Sequence, residues 1–252
     1  KIFVTGIFAT TMREKYLNEN SIVVKNESDT FFYNLEKTDS LNFDFLNELF
    51  NKKDLINDFY SSVSLDDFPY PDWGSYTKKF PLRNDFFSLG QKIAVPLLGT
   101  RGCPYSCFFY CTYPLQQGRK VRARSVENII DEIKFWKKEL GTNKFVFRDP
   151  VFSINRKHTI DFCKQVIDQK LNITFMAETH LNNLDDEMIP LLRKAGLELV
   201  YVGVESSSHF VLKDMQRFTV EHDKQFQVIK KCEDSGIKVK TMFIIGNPED
   251  TK

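Results

Sequence analysis

A chain of 252 residues, 42% hydrophobic and 27% charged with a formal net charge of +1, can hold one large or two small domains. It carries no global field that would draw it to nucleic acid. No apolar run reaches the roughly 18 residues of a membrane span, and nothing near residue 1 reads as a signal peptide. Five cysteines, an odd number with three crowded into residues 103–111, argue against a secreted disulfide framework. A reducing compartment, and hence a cytoplasmic protein, is expected.

Residues 1–38 predict a strand at KIFVTG, a short helix around 11–17, a strand at SIVVKN and a helix around 28–36. Two strands cannot bury a sheet's faces alone, so this segment reads as the last part of a small α/β domain. Residues 39–90, rich in Asn, Asp, Phe and Leu and punctuated at Phe68–Trp73, read as a partly helical connector that packs against the domain C-terminal to it. From residue 91 strands and helices alternate. IAVPLLGT (93–100) is a short strand in which Pro96 marks the start of regular pairing. After the cysteine loop, Ser125 caps a helix running to Leu140, with Ile129, Ile130, Ile133 and Leu140 on one face and Gly141 at its end. KFVFRD (144–149) is a buried strand. A helix over 156–170 turns Ile160, Cys163, Val166 and Ile167 inward. ITFMAET (173–179) is a strand, Asp185 to Ala195 a helix ended by Gly196, and LVYVGVE (199–205) a strand. A helix over 220–235 ends at Gly236, and VKTMFIIG (239–246) is the last strand. Five strands and four intervening helices predict an α/β fold with a parallel sheet and right-handed crossovers: the first five strands of a partial (β/α) barrel over residues 91–252. GNPEDTK ends where a further helix should start, so both ends are expected to be truncated relative to a complete enzyme.

Arg148, Asp149, Glu178, Glu205 and the run Gly246, Asn247, Pro248, Glu249 all fall at C-terminal ends of these strands, as does the cysteine loop. In a (β/α) barrel that edge is where chemistry is assembled. Cys103, Cys107 and Cys111 read as ligands of one metal centre. Three thiolates are one short of closing a four-iron cluster, which leaves one iron able to face a substrate or cofactor. A structural zinc site or unliganded thiols are the plain alternatives. Zinc takes four ligands, and no fourth is evident nearby. Cys163 and Cys232 fall on inward helix faces as structural thiols. Glu178 and Glu205 serve either as ion-pair partners or toward a cofactor. The cluster Arg119, Lys120, Arg122, Arg124 is either a solvated face or a contact for a substrate phosphate or carboxylate. His180 reads as a loop residue.

RGCPYSCFFYCTYP resembles the cluster loop of radical S-adenosylmethionine enzymes. GRKVRARSVENIIDEI, FVFRDPVF, FMAETHLNNLDDEMIPLLRKAGLELVYVGVES and VKTMFIIGNPEDT resemble, in order, the later segments of the cobalamin-associated members. The resemblance covers roughly residues 92–252, and a whole series of segments in register is far more specific than one short motif. Residues 1–38 look like the tail of the cobalamin-binding domain that precedes the barrel in that group. The resemblance implies that Cys103, Cys107 and Cys111 bind a [4Fe–4S] cluster. The open iron would chelate the amino and carboxylate groups of S-adenosylmethionine, and one electron would cleave the sulfonium to give a 5′-deoxyadenosyl radical. It also implies that Arg148 and Asp149 lie near the cofactor's amino group, and Glu205 and Ser206 near its ribose or carboxylate. Ile244, Gly246 and Tyr110 would lie near its adenine. The expected partners are a small-molecule substrate and an electron donor such as flavodoxin or ferredoxin.

The sequence departs from the family in three places. The family's usual cysteine spacing is three residues, then two; here it is three and three, with the extra residue in FFY. The histidine-bearing cobalamin motif is absent, the histidines being His158, His180, His209 and His222. A sixth βα unit is not present. The leading reading is therefore an enzyme of methyl transfer, cyclisation or rearrangement, with cobalamin a cofactor of the full-length protein. The second reading is a non-catalytic remnant that binds a nucleotide-like ligand or a partner without a cluster. A methylthio-transferring relative, which needs a second cysteine-ligated cluster, ranks below both.

Overall fold

The structure, a computed structural model, describes residues 2–16, 21–25, 27–36, 63–79, 94–107, 110–217, 221–248 and 250. The chain forms two compact units. The first comprises Lys1–Pro69, Gly102–Pro104 and Tyr110–Arg122; the second comprises Tyr70–Arg101, Tyr105–Phe109 and Ala123–Lys252. The cysteine loop thus contributes to both.

In the first unit, β1 (Ile2–Val4) and β2 (Ser21–Val23) pair in parallel from Ile2↔Ser21 to Val4↔Val23. Ile22, Val24 and Phe31 form its small core, with Phe3 and Leu35 packed against it. The helix Ser28–Glu36 lies where the sequence places it. The single helix expected around 11–17 is instead two short ones, Ile7–Thr11 and Arg13–Tyr16. The helix starts early, at Ile7 just after Gly6, and Met12 leaves helical geometry (φ −119°, ψ 45°), which breaks the run.

The second unit is built on a parallel sheet. Its first strand is β3 (Ala94–Leu97), and the two-residue strands β4 (Thr100–Arg101) and β5 (Arg122–Ala123) bracket the cysteine loop in sequence. The sheet continues with β6 (Lys144–Phe147), β7 (Thr174–Thr179), β8 (Leu197–Glu205) and β9 (Lys238–Phe243). The strand order is β3-β6-β7-β8-β9, all parallel. Each strand thus lies beside its predecessor, the signature of an opening (β/α) barrel rather than a doubly wound sheet. Pro96 lies inside β3, paired with Val146, not at the start of pairing. An edge strand tolerates a missing N–H, and β3 is an edge strand. Ile93 and Glu249 lie outside the described residues, as does most of the connector.

Side chains alternate across the sheet with period two. Val95, Leu97, Phe145, Phe147, Phe175, Ala177, Val200 and Val202 join the helices in the main core. Val146, Met176 and Leu199 form a second cluster with Ala94 and Tyr201. Continuing that second face, Arg148, Glu178, Gly203 and Glu205 fall at its C-terminal end. The helix Val126–Leu140 buries Val126, Ile129, Ile130, Ile133 and Trp136, at about 1.5–3 kcal/mol for each large side chain. Ser125 Oγ accepts from Asn128 N–H and Gly141 closes the helix in the left-handed region. Helices Arg156–Asp168, Met188–Ala195 and His222–Asp234 follow. The short helix His209–Asp214, capped by Ser208, was not legible as a separate element.

The abundance of phenylalanine has a local use. Phe147, Phe152, Phe162 and Phe175 contact one another in every pairing, with centroids 4.7–6.0 Å apart and mostly edge-on. That geometry suits their quadrupoles and locks β6 and β7 to the helix Arg156–Asp168. The basic run is not one solvated face. Arg124 pairs with Glu132, which is 1% exposed and also accepts from Trp136 Nε1 at 3.2 Å. In the first unit Arg122 pairs with the buried Glu27. Arg119 and Lys120 are exposed. Among the described residues no helix is long and apolar enough to cross a membrane.

Candidate active site

The cysteine loop is anchored where it leaves the sheet. Asp149, 1% exposed, accepts from Gly99 N–H at 2.8 Å and from Thr100 Oγ1 at 2.7 Å, one bond to each carboxylate oxygen. Burial pushes its carboxyl up to about 6, against the pull of those bonds and of Arg124. A β-carbon on Gly99 would lie 3.2 Å from Asp149 Oδ2 and 3.3 Å from Ile129 Cδ1, so the close approach favours glycine. Within the first unit, Cys103 N–H donates to Gly118 O at 3.1 Å and Gly102 N–H to Gln117 Oε1 at 3.1 Å. Gly102 has φ +92°, and a β-carbon there would meet Lys120 O at 2.2 Å, a conformation that needs glycine.

All five cysteines are unbridged thiols; Cys103 is buried, Cys107 and Cys111 half-buried. Burial pushes Cys163 up to about 12 and, with the charge of Glu233, Cys232 up to about 11, so both are inert structural thiols. Phe108 and Phe109, which carry the extra spacing, lie outside the described residues. The middle of the loop is fastened to two strand ends within the second unit. Tyr105 lies against His180, just past β7, with centroids 5.0 Å apart and a 34° tilt, and its hydroxyl donates to Asn183 Oδ1 at 3.3 Å. Arg217 donates from Nη1 to Cys107 Sγ at 3.4 Å and from Nη2 to Gly203 O at 2.8 Å; the same Nη2 lies 3.7 Å from Glu205 Oε1.

Glu205 ends β8 with φ +67°, where the β8–β9 register shifts between Gly203 and Glu205. A non-glycine residue held in the left-handed region at a strand end is a recurrent mark of a functional position. The side chain is largely buried, and desolvation raises its carboxyl above the ordinary range while Arg217 pulls it down. Gly203 explains how both side chains fit: a β-carbon there would lie 2.2 Å from Glu205 Oε1 and 2.9 Å from Arg217 Nη2.

The other expected site residues of the second unit lie at or just past strand ends. Arg148 Nη1 donates to Glu178 Oε1 at 2.9 Å, with both side chains partly exposed. Ser206 Oγ accepts from Ser208 N–H at 3.1 Å. Ile244 N–H donates to Glu205 O at 2.9 Å, joining two of the expected residues through their backbones. Gly246, at φ +94°, and Asn247 both donate from their N–H groups to Asp250 Oδ2, at 2.8 and 2.9 Å. Those bonds hold the Asp250 carboxyl below its ordinary range. Asn247 Oδ1 is buried without a hydrogen-bond partner among the described residues, an acceptor suited to a ligand's amino group. Tyr110 is half-buried.

Arg217 and Tyr105 were not singled out from the sequence. Gly203 was the available signal for Arg217, because a glycine inside a strand marks close approach of another group. Tyr105 was hidden by its position inside the cysteine motif.

Donor chemistry fits an iron–sulfur cluster: three unbridged thiols follow the first strand of the sheet on one loop, and one of them receives a guanidinium. Among the described residues, no group of three His, Cys, Asp or Glu side chains is drawn together closely enough to hold a metal ion.

A parallel sheet of successive βα units, with unbridged cysteines on the loop after its first strand and polar groups at its C-terminal edge, defines a protein of the partial (β/α)-barrel class. The profile of the radical SAM superfamily matches residues 97–252, and the chain belongs to that superfamily. It is 29% identical over 156 residues to an uncharacterized methyltransferase of Pyrococcus horikoshii, covering 62% of this chain and 34% of that protein. It is also 29% identical over 184 residues to the anaerobic magnesium-protoporphyrin IX monomethyl ester cyclase of Rubrivivax gelatinosus, covering 72% and 32%. The chain spans about a third of the length of these relatives. Among solved structures, the cobalamin-dependent S-adenosylmethionine radical enzyme OxsB, with aqua-cobalamin and S-adenosylmethionine bound, shares the fold. Its TM-score is 0.73 at 18% identity, over 96% of this chain and 36% of OxsB.

Proposed function

We propose that this chain is the core of a radical S-adenosylmethionine enzyme, with Cys103, Cys107 and Cys111 holding a [4Fe–4S] cluster. The observation that carries this reading is the family match over residues 97–252, which begins at the end of β3 and takes in the three clustered cysteines. When bound, the cluster and S-adenosylmethionine together supply a carbon-centred radical by one-electron cleavage of the sulfonium.

The chain's own residues would bind and orient the cofactor. Asp149 fixes Gly99 and Thr100, and so sets where the cysteine loop departs. Arg148 and Glu178 offer a charge pair to the amino and carboxylate groups. Glu205 and Ser206, at and just past the end of β8, would bind the ribose or carboxylate. Ile244 and Gly246 would lie near the adenine, as would Tyr110 by the family resemblance, and the buried Asn247 Oδ1 would be an acceptor available to its amino group. Methyl transfer and cyclisation, the reactions named for the relatives, are the favoured subtypes on a small-molecule substrate. The full-length protein would be cytoplasmic, draw electrons from a flavodoxin or ferredoxin, and use cobalamin. The likeness of fold to a cobalamin-dependent enzyme over 96% of this chain supports the last point.

The test is to incubate the anaerobically reconstituted chain with S-adenosylmethionine and dithionite and follow 5′-deoxyadenosine by mass spectrometry. Release that is lost in Cys107→Ala is expected. No release from a protein that carries iron and sulfide would contradict the activity. A colourless protein after reconstitution would favour a cluster-free binding module.

A further inference from the structure

Residues 105–107 have an attachment that the proposed cofactor chemistry does not require. Tyr105 is separated from Cys107 by Ser106 alone. Its ring packs on the buried His180 at 5.0 Å, and its hydroxyl reaches Asn183 at 3.3 Å. His180 is itself fixed: its Nδ1 accepts from Asn182 N–H at 3.2 Å, opening the turn Leu181–Asn183. The turn is held in place by Leu181 and Leu184, both in the main core. The aromatic contact therefore ties a loop residue to a rigid feature at the end of β7. Two residues on, Cys107 is tied through Arg217 to the end of β8.

We propose that Tyr105 is a positioning residue for Cys107. By docking on His180 and Asn183 it presents the second cysteine's sulfur at the sheet edge before any cluster is present, with Arg217 holding the sulfur itself. The role is not catalytic, because Tyr105 acts through the backbone of Ser106 and Cys107. This inference rests on the cluster reading for its purpose but not for its physical content. The clamp is a property of the cluster-free chain and is measurable there.

The experiment maps alkylation of each thiol in the cluster-free chain by iodoacetamide at pH 8, using peptide mass spectrometry. In Tyr105→Ala, Cys107 should react about tenfold faster than in the parent, the scale expected for losing an aromatic contact together with a hydrogen bond. Cys232, 1% exposed on the helix His222–Asp234, serves as the internal control for global loosening and should not change. Tyr105→Phe keeps the ring contact and should restore most of the protection; His180→Ala should match Tyr105→Ala. The double variant should gain little over either single change, as partners in one contact do. A second readout is the electron paramagnetic resonance signal after reconstitution, which should broaden in Tyr105→Ala and sharpen again in Tyr105→Phe.

Should Cys107 and Cys232 both accelerate, Tyr105→Ala has loosened the whole fold, and the decision passes to Tyr105→Phe and His180→Ala. Equal Cys107 rates in the parent and in a folded His180→Ala overturn the clamp. A parent that takes up no iron but shows the Tyr105 effect on labelling overturns the cluster reading and leaves the clamp intact.

Discussion

Replacing Asp149 by Asn isolates one buried carboxyl whose ionisation opposes folding. Asp149 is 1% exposed and both its oxygens are engaged by Gly99 and Thr100. Burial pushes its carboxyl from 3.8 to about 6 in the folded chain. A tenfold change in an ionisation equilibrium is worth about 1.4 kcal/mol, so this displacement corresponds to about 3 kcal/mol. Because the native state holds the proton more tightly than the unfolded chain, the favourable contribution is complete below about pH 4. It is lost as pH rises to about 6 and stays lost above it. Asparagine keeps an acceptor for Gly99 N–H and cannot ionise. Urea unfolding of the parent and of Asp149→Asn should be followed from pH 4 to 8. The stability of the parent minus that of the variant should fall by about 2 kcal/mol between pH 4 and 6 and only about 0.5 kcal/mol further by pH 8, where it levels. A difference that stays flat, or rises with pH, would refute the claim that desolvation dominates at this carboxyl.

Two other substitutions probe the packing that shapes the site. Gly203→Ala drives a methyl into Glu205 and Arg217 and should destabilise the chain by about 1–3 kcal/mol in urea unfolding. Adding Glu205→Ala removes the atom 2.2 Å away and should recover part of the loss. Glu132→Ala removes the Arg124 ion-pair partner and the acceptor of Trp136 Nε1, while Asn128 and Leu98 still accept from the guanidinium, and should cost about 1–3 kcal/mol. The double change Glu132→Leu with Arg124→Met should recover most of that stability, since a packed apolar pair replaces a desolvated ion pair at little cost.

Much of the fold was readable because its signals are local. Hydrophobic periodicity with Ser125 and Gly141 at the helix ends located Val126–Leu140, and short apolar runs between helices located all five strands. The break at Met12 was not readable, because nothing in the composition around it forbids a continuous helix. Nor was the helix His209–Asp214, which is too short to show a period. At the site, position along the strands was legible but direction was not. Asp149 was expected to lie near the cofactor's amino group, and in the fold both its oxygens bind the start of the cysteine loop. Arg124 belonged to a basic cluster by sequence, yet in space it neutralises Glu132. Arg217 reaches Cys107 across 110 positions of chain, and no linear pattern encodes such a contact.

The central claim is that three thiols of one loop hold a four-iron cluster with a corner open to S-adenosylmethionine. The most direct measurement is electron paramagnetic resonance of the reduced, reconstituted chain with and without S-adenosylmethionine, alongside its iron content. The account predicts about four irons per chain, a signal that shifts on adding S-adenosylmethionine, and loss of both in Cys103→Ala, Cys107→Ala and Cys111→Ala. An iron content unchanged by those substitutions, or a cluster signal indifferent to S-adenosylmethionine, would contradict it.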